Sequence, residues 1–147
     1  MDHLRLRFPL PQPRTLRAVA LSFTGLCFTC VNVTATPLLR CHVSYAGTTQ
    51  TIEAKPVADP YPVPSVDIGG RFRFKAVMVG DVDRVDRVVL YTYLDSKQQP
   101  ILVHQAKYLP PFDLTQTPLL LTGDQFVFAG PVERELQYRC TLEGKRT

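Results

Sequence analysis

Beyond residue 35 the chain has two histidines, His42 and His104, the side chains best suited to moving protons near neutral pH. Ser44 follows His42 by two residues, so on an extended strand both would project from one face. A hydroxyl beside a base is the minimum for nucleophilic hydrolysis. No G-x-S-x-G elbow accompanies them, and no two carboxylates can be singled out as an acid and base pair. A small hydrolase is therefore the third of three functional readings, and the chain leans away from being an enzyme.

Asp81, Asp83 and Asp86 set three carboxylates within six residues, and calcium favours clustered oxygen ligands. The order D-V-D-R-V-D lacks the sixth-position Gly and the distal Glu of an EF-hand loop. Arg84 and Arg87 would compete for the acids, so a charged turn with local ion pairs is expected. His42 and His104 would hold zinc or copper only if the fold made them converge. Exposed strand histidines are expected instead. These five residues carry the second reading, a carrier of a small ligand or metal ion. No cofactor is expected.

Two patterns point to binding. Arg71, Arg73 and Lys75 alternate along one segment and would line one strand face. That face could bind an anionic partner, a lipid headgroup or a polysaccharide. The expectation is a solvated stripe, paired across strands with acids such as Glu133 and Glu135. Tyr91 and Tyr93 share a face of another strand, while Tyr61 and residues 109–112 come from loops. These aromatics either form a rigid apolar surface or belong to a core with hydroxyls at its rim. Both alternatives stand.

The elements that position these residues begin after an export signal. Residues 1–17 carry Arg5, Arg7, Arg14 and Arg17 against one acid, Asp2. Residues 18–33 hold no charge but run for less than the roughly 20 residues of a membrane span. Val33-Thr34-Ala35 then offers small residues before a cleavage point at Thr36. Residues 1–35 therefore read as a signal peptide and 36–147 as one domain, periplasmic or secreted. The signal holds four of the 17 basic residues and one of the 13 acids, so the domain's net charge is only +1. A nucleic-acid role loses its support. Cys27 and Cys30, spaced as a CxxC, and the sequon at Asn32 would leave with the signal. No membrane span remains after cleavage.

Composition is that of a globular domain, 45% apolar and 20% charged. Cys41 and Cys140 remain, and in an oxidising compartment an even pair reads as a disulfide. Closing a loop of roughly 100 residues removes about 4–5 kcal/mol of unfolded-state freedom in the entropy account.

Hydrophobicity has period two almost throughout. Leu39, Cys41, Val43 and Tyr45 alternate with polar residues up to a turn at Ala46-Gly47, after which 51–57 reads as one further strand. Residues 58–64, rich in Pro, read as a loop or sheet edge. Phe72, Phe74, Ala76 and Met78 alternate with the basic stripe. Residues 88–94 are apolar on both faces and so belong centrally, with 95–100 as the hairpin loop to the next strand. Leu136, Tyr138, Cys140 and Leu142 form the inward face of the last strand. Seven to nine short strands without a helical stripe predict an antiparallel β-sandwich.

Tyr138-Arg139-Cys140 resembles the tyrosine corner of immunoglobulin-like domains, where Tyr stands two residues before the second Cys. The likeness covers three residues, and no Trp exists for the core. It implies an immunoglobulin-like sandwich whose strand order is left open. The first functional reading follows: an exported, non-catalytic module that docks a protein or cell-envelope component through a sheet face or edge.

Overall fold

The computed structural model describes residues 36–113, 117–130 and 134–144. The proposed signal, its CxxC and its sequon lie outside them, as does Glu133. The described chain forms ten strands and no helix: Leu38–Tyr45 (β1), Thr48–Ala54 (β2), Pro56–Val57 (β3), Val66–Ile68 (β4), Phe72–Gly80 (β5), Val85–Leu94 (β6), Ile101–Tyr108 (β7), Leu119–Leu120 (β8), Gln125–Ala129 (β9) and Arg134–Glu143 (β10). No helix among the described residues is long and apolar enough to cross a membrane.

Two sheets share one core. In the first, the order is β2-β1-β10-β8, with β9 also paired to β10. In the second, the order is β3-β5-β6-β7, with β4 also paired to β5. The alternation explains how the sheets meet, because residues two apart share a face. Leu39, Cys41 and Val43 of β1 and Leu136, Tyr138, Cys140 and Leu142 of β10 point inward from the first sheet. Phe72, Phe74, Ala76 and Met78 of β5, with Val88 and Leu90 of β6, answer from the second. At roughly 1.5–3 kcal/mol for each large apolar side chain fully buried, this shared layer is the main favourable contribution to folding.

Turn chemistry sets the hairpins. Ala46 and Gly47 have φ of 49° and 80°, the double left-handed pattern of a two-residue hairpin. Gly69 and Gly70, at 61° and 63°, share that left-handed conformation in the three-residue loop between β4 and β5. Val66–Ile68 thus forms a short strand antiparallel to β5. The continuous strand expected over 51–57 is divided. β2 ends at Ala54, and Pro56–Val57 joins the other sheet, parallel to β5. Pro56 has no N–H with which to extend the first ladder, and the chain crosses between sheets there.

Cys41 and Cys140 form the disulfide, with their Cα atoms 4.0 Å apart. They are direct register partners on β1 and β10. In immunoglobulin domains the conserved bridge joins the two sheets, whereas here it joins neighbours within one. A disulfide is consistent with an extracellular location. The tyrosine-corner likeness also departs in its chemistry. A corner tyrosine bonds to backbone upstream, but the Tyr138 hydroxyl lies 2.8 Å from His104 Nε2, across the core on β7.

Candidate functional site

The outer face of the second sheet is set by register. Arg73 on β5 stands opposite Tyr93 on β6, and Lys75 opposite Tyr91. The basic stripe and the tyrosine pair, unrelated in the sequence, are therefore side by side. Tyr91 and Tyr93 are two residues apart on one strand, and their rings stack with centroids 6.2 Å apart and planes 19° from parallel. Burial, and secondarily the neighbouring Tyr91, pushes the Tyr93 hydroxyl above its usual pKa. The core side of the same strand is Val88, Leu90 and Thr92. The tyrosines thus belong to the outer surface and not to the core rim.

The face continues along the ladder. Val77 pairs with Val89, and Val89 in turn with Lys107. Val79 pairs with Arg87. Val77 and Val89 are 2% and 6% exposed although they lie on the outer side. Arg87 and Lys107 flank them, and such long side chains can lay aliphatic stems over apolar surface. Neither Arg87 nor Lys107 was singled out from the sequence. Each sits on the outward phase of its own strand, which is the signal that could have identified them.

Arg73 is neutralised by Asp95, with Nε 3.1 Å from Oδ1. The expected pairing of the stripe with Glu135 does not form. Glu135 sits in the first sheet, where it accepts a hydrogen bond from Gln137. Arg71 leaves the stripe. Its Nη2 lies 2.6 Å from where a Cβ on Gly130 would stand, and its buried Nε has no partner among the described residues. The absence of a side chain at Gly130 makes room for it. Among the described residues no carboxylate ion-pairs with Lys75, Arg87 or Lys107.

A groove of about 390 Å³ opens on this face, lined by Val63, Ser65, Lys75, Tyr93, Gln99 and Pro100. Two loops, one after β3 and one between β6 and β7, supply four of those residues. Ser96 Oγ donates 2.6 Å to the Gln99 carbonyl and so fixes the second loop.

The other candidates are placed differently. His42 lies on the outer face of the first sheet, its Nδ1 3.2 Å from Thr51 Oγ1. Ser44 Oγ is 2.7 Å from Thr49 Oγ1. Both residues line a hollow with Asp124 and Arg139. Asp124 is gripped by Arg139 at 2.6 Å through both oxygens, and this hydrogen bonding holds its carboxyl below the usual range. The groups that would form a Ser–His–acid relay are each bonded elsewhere. His104, expected to be exposed, is half-buried on the inner side of the second sheet. The two histidines therefore lie on opposite sides of the first sheet and do not converge.

Asp81 caps its own turn. Its Oδ1 accepts from the Asp83 and Arg84 amides at 2.9 and 2.8 Å, and those bonds lower its pKa. Arg84 Nε holds Asp86 at 2.7 Å. Among the described residues no three His, Cys, Asp or Glu side chains are grouped to hold a metal ion. Tyr61 is exposed in its loop, whereas Phe112 packs against the core.

No family model, no curated protein and no solved structure matches this chain.

Proposed function

We propose that the chain is an exported β-sandwich binding module, without catalysis of its own, that docks a protein or cell-envelope component through the outer face of the second sheet. The signal-like residues 1–35 and the disulfide support a periplasmic or secreted location. One observation carries the choice of face: among the described residues Lys75, Arg87 and Lys107 have no ion-pair partner, and Lys75 stands opposite Tyr91, which stacks on Tyr93.

The first sheet differs in this respect. Arg40 bridges Glu53 and Glu143, and Arg139 is satisfied by Asp124. A cation already paired with a carboxylate offers an anionic partner little gain.

The test places a photo-crosslinking amino acid at Tyr91, on the proposed face, or at Thr51, on the opposite sheet. Each protein is made in its own exporting host and irradiated there. A discrete adduct at 91 and none at 51 is the expected result. Adducts at both positions, at 51 alone or at neither overturn the reading.

A further inference from the structure

Resting on that reading, we infer that the partner is an acidic polysaccharide, with one sugar unit in the groove at Lys75 and Tyr93 and its chain running toward Lys107 and Arg87. Among the residues lining the groove, Lys75 carries an ammonium, Tyr93 and Ser65 hydroxyls and Gln99 a carboxamide. That set matches a sugar bearing one carboxylate and several hydroxyls. An ammonium suits the anion as a point charge, and hydroxyl and amide groups both donate and accept. Its volume of about 390 Å³ falls within the roughly 300–1,000 Å³ of small-molecule clefts.

The groove alone would suit a monomer. The unpaired cations beyond it argue for a polymer. Lys107 is two strands from Lys75 and one side-chain row along, because Lys75 pairs with Tyr91 and Lys107 with Val89. Strand spacing and rise put their α-carbons about 12 Å apart. Arg87 is one strand and one row from Lys107, about 8 Å away. The three cations thus stand at the corners of a triangle on the sheet, with Lys107 on its edge strand, so a flexible polyanion can meet more than one of them.

Two other classes of partner fit less well. A membrane surface is met by basic groups together with protruding apolar side chains. The exposed Phe126, Phe128 and Leu120 belong to the first sheet, and on β7 the exposed Ile101 and Leu102 lie at the Tyr93 end, away from the Lys107 and Arg87 rows. Cores of protein interfaces are depleted in Lys, yet two of the three unpaired cations here are Lys.

The experiment titrates the protein purified from its exporting host with a tetrasaccharide of galacturonate, its methyl ester, and phosphatidylglycerol vesicles. The acid form is expected to bind, more weakly as salt rises, and the ester to fail. Lys75→Ala and Lys107→Ala should each weaken binding about tenfold, with circular dichroism unchanged. Equal binding of acid and ester overturns the inference, as does binding of vesicles but not the tetrasaccharide, or binding of none. The Tyr91 adduct separates the two levels. An adduct removed by a polysaccharide lyase supports both. One removed only by protease sinks the glycan and leaves the module. No adduct sinks both.

Discussion

His104 Nε2 and the Tyr138 hydroxyl, 2.8 Å apart, form a side-chain hydrogen bond between the two sheets. One comes from β7 and the other from β10, 34 positions apart in sequence. The Tyr138 ring also packs on Phe74 of β5, with centroids 5.2 Å apart. This tyrosine therefore ties a polar contact to the apolar core. Tyr138→Phe leaves His104 without that partner and should cost about 1–2 kcal/mol in chemical denaturation. A double-mutant cycle with His104→Ala should show coupling. Additive effects would mean that the bond contributes nothing.

Alkaline stability follows from the same residue. Burial, and secondarily Tyr108, pushes the Tyr138 hydroxyl well above its usual range. The folded state thus keeps a proton that the unfolded chain releases near pH 10. Stability from this group is fully present below about pH 10 and is lost as pH rises further. Tyr108, also raised by burial, adds to the slope. Thermal unfolding from pH 8 to 11 should fall more gently in Tyr138→Phe than in the parent. Parallel curves would refute the assignment.

Thr92 is fully buried between the two sheets, and its hydroxyl finds no hydrogen-bond partner among the described residues. Thr92→Val keeps the shape and removes the desolvation cost. It should raise stability by about 1–2 kcal/mol, read as a shift in denaturant midpoint at constant slope.

The Cys41–Cys140 bridge spans a sequence separation of 99. Replacing both cysteines with Ala should lower unfolding free energy by about 4 kcal/mol. Unfolded, unreduced protein should expose neither of these thiols to a thiol reagent. Detection of both would remove the bridge from the account.

Gly80 closes the turn where β5 meets β6, with φ of 154°, and a Cβ there would stand 2.1 Å from the Arg84 carbonyl. The obstacle is backbone and cannot rotate away. Gly80→Ala should therefore destabilise by more than about 1 kcal/mol. A midpoint unchanged from the parent would show that the turn opens freely.

Much of the fold was legible in the alternation. Phe72 to Met78 and Leu136 to Leu142 announce their buried faces, and Ala46-Gly47 announces its hairpin. Other features were legible but outweighed. His104 shares its phase with Ala106 and Tyr108, which pack against the core, but a lone histidine on a strand reads as exposed. A register shift at Thr92 and Tyr93 further obscures the pattern on β7. On β9 the smaller Val127 and Ala129 point inward while Phe126 and Phe128 face solvent, an orientation set by pairing with β10.

What the sequence by itself determined was the all-β class, the inward faces of the long strands, the turn positions and the cysteine pair. These depend on residues close in the chain, where period-two spacing fixes which side chains share a face. What only the tertiary structure decided was which strands are neighbours. Arg73 meets Tyr93, Lys75 meets Tyr91, and Asp95 rather than Glu135 neutralises Arg73. His104 reaches Tyr138, and Arg71 turns away to Gly130. Such contacts arise from hydrogen-bonded ladders and packed faces between distant segments. The periodicity within a strand records only one face or the other, and is the same whichever strand lies beside it.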